Sequence, residues 1–168
     1  MKHLWSPWRS KYISSFKNTD INEGESCFIC EAAMNKDMNE DNLVVFKNKL
    51  ILILLNKYPY NAGHLLIAPR EHIGNINELN IELMNEINIY IKSSINILDQ
   101  LFMPQGYNIG ANLGRVAGAG LPDHIHYHIV PRWSGDTNFM TTVSDIKVIS
   151  EQIEDTRIKI ANEFELLR

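Results

Sequence analysis

The run His124-Ile125-His126-Tyr127-His128-Ile129-Val130 fixes a β-strand and the chemistry of one of its faces. Ile, Tyr and Val favour an extended backbone, and successive strand side chains point to opposite faces. The three imidazoles therefore share one face, while Ile125, Tyr127 and Ile129 line the other. The rise per strand residue puts neighbouring histidines ~7 Å apart at Cα and the outer pair ~13 Å apart. Such a row suits a metal held through alternate histidines, or an extended anion. One strand histidine is usually structural, but three in register are half of the chain's 6, which argues against accident.

The flanking residues favour the anion. Upstream, the stretch from Asn112 to Asp123 reads Asn-Leu-Gly-Arg-Val-Ala-Gly-Ala-Gly-Leu-Pro-Asp. Its glycines and alanines leave the backbone bare, so its N–H groups are expected to approach a phosphate. Alone it would read as an ordinary connector; leading into three histidines, it reads as a phosphate loop. Downstream, Pro131 is expected to end the strand, because proline cannot donate to a central ladder.

A second segment, Leu55 to His72, reads as a strand end, a turn from Pro59 to Gly63, and a short strand from His64 to Ala68. With both segments in view, the chain resembles the histidine-triad (HIT) family, in its bacterial group allied to dinucleoside polyphosphate hydrolases and phosphorylases. The resemblance runs from Leu4-Trp5-Ser6-Pro7-Trp8-Arg9 to Thr137-Asn138-Phe139-Met140.

The resemblance implies that His126 attacks the α-phosphorus of a nucleotide and forms a nucleotidyl-histidine, which water or another acceptor resolves. A neutral imidazole is a good nucleophile near neutral pH, which agrees with that role. His128 is then placed to donate to a phosphate oxygen as charge develops. His124 orients the pair, and His64 matches the family's fourth histidine in a supporting role. Asn56, eight residues before His64, falls where relatives hold the ribose, although turns also favour Asn. Asn112 matches an amide position ahead of the loop and, with Gly118 and Gly120, is expected to contact the nucleotide. Several relatives carry Ser or Thr just before the triad; Gly120 and Leu121 stand here, so that hydroxyl contact is missing. Arg115 reads equally as a distal phosphate contact or an exposed side chain. Trp133 reads as a base-stacking or a space-filling residue. Phe28 and Leu54 are expected in an apolar base pocket.

The two cysteines stand as Cys27-Phe28-Ile29-Cys30. A chain with so few cysteines and no secretory signal is not a disulfide scaffold. A thioredoxin-like pair belongs at a helix start within a βαβ unit, which does not follow here. Two thiolates at this spacing need two further ligands for a closed tetrahedral zinc site. The resemblance supplies them as His72 and His124, which makes the expected ion structural rather than catalytic. Two buried thiols that only pack are the alternative.

With 168 residues the chain is expected to be one domain, its core spanning about 27–140 with a helical extension at about 145–168. Its 16 basic and 20 acidic residues give a net charge of −4 and no long basic run, so DNA or RNA partners are not indicated. The longest apolar run, Leu50 to Leu55, reads as a buried strand rather than a membrane span, and the start lacks a signal-peptide core. A cytoplasmic location is expected.

A hairpin is predicted over Leu43–Phe46 and Leu50–Leu55, turning at Asn48. Met84, Ile87, Ile91, Ile95, Leu98 and Phe102 recur at helical spacing and predict a helix of about 22 residues, capped by Asn80 and stopped at Pro104. Gly106 to Leu113 reads as the strand that pairs with the triad strand. A last helix is expected from about Val148 to Leu167. The element order gives an α+β fold with an antiparallel sheet. The resemblance makes it a HIT-like fold with about five strands, a long helix and a C-terminal helix, assembled as a homodimer. In that dimer, the Trp5/Trp8 segment and the last helix are candidates for the interface or the site rim.

The function expected from these readings is a nucleotide hydrolase or transferase acting on dinucleoside polyphosphates or nucleotide phosphoramidates. Two alternatives stand beside it. One is a metalloenzyme using the histidine row, with only Asp123 near in sequence as a base. The other is a non-catalytic nucleotide-binding module. The sequence leaves open the preferred substrate, water against orthophosphate as acceptor, and whether Mg2+ accompanies the substrate.

Overall fold

The computed structural model describes residues 27–137 and 151–167. Helix α1 (Phe28–Met34) leads into an antiparallel run of strands β1 (Val44–Lys47), β2 (Ile51–Leu55) and β3 (Leu65–Pro69). Helix α2 (Ile81–Phe102), strands β4 (Gly106–Ala111) and β5 (Tyr127–Arg132), and helix α3 (Ile153–Leu166) complete the described chain. The sheet order is β1-β2-β3-β5-β4, and every neighbouring pair is antiparallel. This is the α+β, HIT-like arrangement that the sequence predicts.

Local chemistry explains the elements. The Asn48 carboxamide accepts from the N–H groups of Leu50 and Ile51, which closes the β1–β2 hairpin. Asn80 caps α2 by accepting from Leu83 N–H at 2.8 Å. After 22 helical residues Met103 takes up a left-handed conformation, and Pro104 follows to prevent continuation. The C-terminal helix begins at Ile153, later than about Val148; residues 148–150 lie outside the described chain, as do Trp5, Trp8 and Asn138 to Met140.

The two faces of the sheet are covered differently, and this positions the site. On one face, Ile51, Ile53, Leu55, Leu65, Ile67, Ile125 and Ile129 form a core with Leu83, Ile87 and Leu98 of α2 and with Ile160 and Phe164 of α3. Between Val44 and Phe46 the register of β1 shifts by a bulge, so both Val45 and Phe46 join this core. Phe46 packs its ring 5.2 Å from Phe164. On the other face, α1 covers only β1 to β3, through Ile29, Ala32 and Ala33 against Val44, Leu52, Leu54, Leu66 and Ala68. The same face continues past α1 onto β5 and β4, because Leu66 pairs with His128 and His128 with Gly110.

The expected bounds of the triad strand need correcting. It starts at Tyr127, so His124 and His126 precede it, and it does not end at Pro131 but runs on to Arg132, with Pro131 paired to Tyr107. The Pro131 carbonyl accepts from the Asn61 side chain, so its ring nitrogen also faces the β3 side, where the ladder has already finished at Leu65↔Ile129. No ladder donor is lost, and proline is tolerated.

Candidate active site and metal centre

The turn that follows β2 is built around His64. Asn56 accepts from Tyr58 N–H at 3.0 Å, and the Asn61 carbonyl accepts from His64 N–H. Gly63 holds φ at +70°, where a Cβ would lie 3.0 Å from Leu98 Cδ2; both the backbone and the space demand glycine. The turn delivers Tyr60 N–H to His64 Nδ1 at 3.1 Å, with the Asn56 amide at 3.4 Å from the same nitrogen. His64 Nδ1 is thus an acceptor, and its proton sits on Nε2. That Nε2–H donates to His128 Nδ1 at 3.0 Å. His128 therefore carries its own proton on Nε2, an atom that is buried and has no hydrogen-bond partner among the described residues.

His126 has the opposite tautomer. Its Nδ1 lies 2.8 Å from the His124 carbonyl, which can only accept, so the proton is on Nδ1 and the Nε2 lone pair is available. Burial favours the neutral form of each of these rings. His64 is pushed down to about 3 by burial and then by His128 and His126, and His128 to about 4 by burial and His126. Burial also lowers His126, against the opposing effect of the hydrogen bond that its Nδ1–H donates to the His124 carbonyl. The site thus offers a nitrogen lone pair and, with ring centroids 5.0 Å apart, an N–H donor beside it.

The imidazole of His124 belongs to a second centre. Its Nδ1 lies 3.2 Å from Cys27 Sγ and 3.5 Å from Cys30 Sγ, and His72 Nδ1 lies 3.2 Å from Cys30 Sγ. The four ligand atoms all fall within 4.8 Å of one another. A tetrahedral ion with bonds of ~2.3 Å to sulfur and ~2.0 Å to nitrogen would separate neighbouring ligands by ~3.5 Å. His124 Nε2 meets the Pro69 carbonyl at 2.9 Å, which puts the proton there and leaves Nδ1 free to ligate, the usual outer support of a metal-bound histidine. Without a cation, burial and the neighbouring Cys27 raise the Cys30 thiol to about 11; a metal would reverse that preference. The residues present fit a closed metal site. Helix α1 makes the arrangement local: Cys27 is its N-cap, and its Sγ also accepts from Cys30 N–H.

Two cavities meet at the histidines. The larger, about 630 Å³, is lined by Phe28, Leu54, Leu66, Asn56, Gly118 and Gly120 and reaches both His126 and His128. The smaller, about 440 Å³, lies over β4 and β5 and reaches His128 but not His126.

Comparison with known proteins agrees with this geometry. Residues 37–135 match the HIT domain family. The chain belongs to the HIT family. The HIT chain is 34% identical to an AP-4-A phosphorylase of Mycobacterium tuberculosis, over 98% of its own length and 85% of that protein's. Among solved structures, a histidine triad nucleotide-binding protein of Sulfolobus tokodaii superposes with a TM-score of 0.67 at 25% identity, covering 84% of this chain and 93% of that one. A Zn-bound histidine triad family protein of Mycobacterium smegmatis gives the same TM-score at 20% identity, over 84% and 95% of the two chains, and shares the fold.

Within this HIT chain, the structure brings His64, His126 and His128 together and gathers Cys27, Cys30, His72 and His124 into the second centre. The row is thus divided between two centres rather than acting as one metal site. Gly118, Gly120, Phe28 and Leu54 line the larger cavity. Asn56 lines it too, but its amide also supports His64.

The loop before the triad is less bare than its composition suggests. It closes on itself as a 3-10 turn at Arg115–Ala117, in which Ala117 and Ala119 N–H donate to the Gly114 carbonyl and Gly118 N–H to that of Arg115. Those N–H groups are spent on the turn, and the phosphate-cradle reading narrows to Gly120 and its neighbours. Asn112 touches the loop through Gly118 O and lines the smaller cavity. Arg115 and Asp123 line neither cavity. Trp133 donates its indole N–H to the Phe102 carbonyl, as a packing residue would. Tyr60, Asn61 and Asp136 were not singled out from the sequence. Asn61 is 5% exposed and bridges the Pro131 carbonyl and Asp136, at 2.9 and 2.7 Å, tying the His64 turn to the end of β5. The Pro-Tyr-Asn-Ala-Gly run marks a turn but not this tether.

Proposed function

We propose that this protein cleaves the bond at the α-phosphorus of a dinucleoside polyphosphate of the diadenosine tetraphosphate type, or of a nucleotide phosphoramidate, through a covalent nucleotidyl-His126. The observation that carries the reading is the opposite tautomers of His126 and His128. The Nε2 lone pair of His126 forms the N–P bond as the bond from phosphorus to the leaving group breaks, and His128 Nε2–H donates to the departing atom. In the second step water attacks phosphorus, the N–P bond breaks to return the lone pair to His126, and the water's proton is released to solvent with the nucleotide product. With orthophosphate as acceptor the product is the nucleoside diphosphate instead. The nucleotide lies in the larger cavity, with its base between Phe28 and Leu54 and its ribose near Asn56. The relative named AP-4-A phosphorylase supports this substrate class.

The Cys27, Cys30, His72 and His124 set would hold Zn2+. All four positions come from protein, so the ion would supply structural support and no activated water. A homodimer in the cytoplasm belongs to the same reading, and light scattering checks the assembly.

The test is to incubate the protein with diadenosine tetraphosphate, with and without orthophosphate, resolve the products, and search acid-quenched samples for a nucleotide on His126. AMP with ATP identifies hydrolysis; ADP with ATP formed only with phosphate identifies phosphorolysis. Turnover in a His126→Ala variant at the wild-type rate would overturn the covalent route.

A further inference from the structure

The smaller cavity is not needed to hold the nucleotide that His126 attacks, because His126 does not line it. It shares only Tyr60 and His128 with the larger one. From the reading above, the geometry points to this cavity as the subsite for a leaving group that is itself a nucleotide. An in-line displacement puts the attacking and departing atoms on opposite sides of phosphorus. The nucleophile stands in one cavity, and the proton-bearing His128 stands where the two join.

Away from His128, the lining suits the polar, uncharged nucleoside end of such a leaving group. Arg132 is paired to Asp136, with Nε–Oδ2 at 2.5 Å and Nη2–Oδ1 at 3.0 Å, so its charge is already balanced. It also donates to Asn108 Oδ1 at 2.6 Å, which turns the amide NH2 of Asn108 outward to meet an acceptor. Thr137 and the Tyr60 ring complete the walls. The floor is β4, where a Cβ on Gly110 would meet nothing within 4 Å. From His128 to Arg132 along β5 the floor runs ~13 Å, longer than one phosphate and in keeping with a chain of phosphates ending in a nucleoside.

Gly110 pairs directly with His128, so a side chain placed there projects on the His128 face, into this cavity. The space is open and the backbone unstrained, so Gly110→Val is compatible with the fold. Ile89→Val is the control: it is exposed on α2 and lines neither cavity. The experiment measures kcat/KM for diadenosine tetraphosphate and for adenosine 5′-phosphoramidate, whose leaving group is only ammonia, in wild type and both variants. The expected result is that Gly110→Val lowers the ratio of the first to the second by about tenfold or more, mainly through KM, while Ile89→Val keeps the wild-type ratio. An unchanged ratio in Gly110→Val, or the same change in both variants, overturns the subsite. If the wild type turns over neither compound, the catalytic reading fails, and the subsite falls with it.

Discussion

Replacing His64 with Phe should remove a defined part of the protein's acid sensitivity. His64 is fully buried and is surrounded by Tyr60 N–H, the Asn56 amide, His128 and His126. Its pKa falls to about 3 in the fold, against ~6.5 in an unfolded chain. The unfolded state therefore binds a proton that the folded state refuses. Stability is fully present above the unfolded value and is lost as pH falls through that window towards the folded value. From 6.5 to pH 5 the loss is about 1.5 units at 1.36 kcal/mol each, or ~2 kcal/mol from this one group. For a chain of this size that is ~4–8 °C of melting temperature. Urea unfolding of wild type and His64→Phe at pH 7.5 and pH 5.0 gives the difference directly, and loss of metal from the cluster cancels between the two proteins. The drop between the two pH values should be smaller in the variant by about 2 kcal/mol. Equal drops would mean that His64 already titrates normally in the fold, and the tautomer chain from Tyr60 to His128 would have to be abandoned.

Other outcomes follow from the same geometry. His126→Ala should lower kcat for diadenosine tetraphosphate by more than ~10³-fold while nucleotide affinity, measured by calorimetry, changes little; loss of affinity alone would point to a binding role. Cys30→Ser should lower the metal content measured by mass spectrometry and the melting temperature together, because a structural ion contributes folding free energy; full metal content would exclude Cys30 as a ligand. Gly63→Ala should cost about 1–2 kcal/mol from its left-handed backbone alone, with crowding against Leu98 in addition, and equilibrium unfolding reads the change.

Much of the frame was legible because it rests on local rules. Asn80, a 22-residue apolar stripe and Pro104 state the start, body and end of α2. Alternation at 124–130 states that a strand lies there, though it begins only at Tyr127 and leaves His124 and His126 ahead of it. What escaped depended on long-range cover. Helix α1 is a 7-residue element, too short for periodicity to show, and its start is capped by a thiol rather than a usual capping side chain. Pro131 survives inside β5 only because β3 stops short on one side, a fact of register and not of sequence. The Gly-rich loop looked open because composition does not reveal a 3-10 turn. The Cys27, Cys30, His72 and His124 donor set was readable, yet its joining to the His126 site was not, since that depends on where one residue's carbonyl points.

That residue is His124. Its ring faces the thiols while its carbonyl holds the Nδ1 proton of His126, so two centres distinct in chemistry share one peptide unit. Substitutions in the Cys-x-x-Cys helix and substitutions around His126 should therefore combine non-additively. An engineer who strips the cysteines from this scaffold must first give position 124 another anchor, or the Nδ1 proton of His126 loses its reference point.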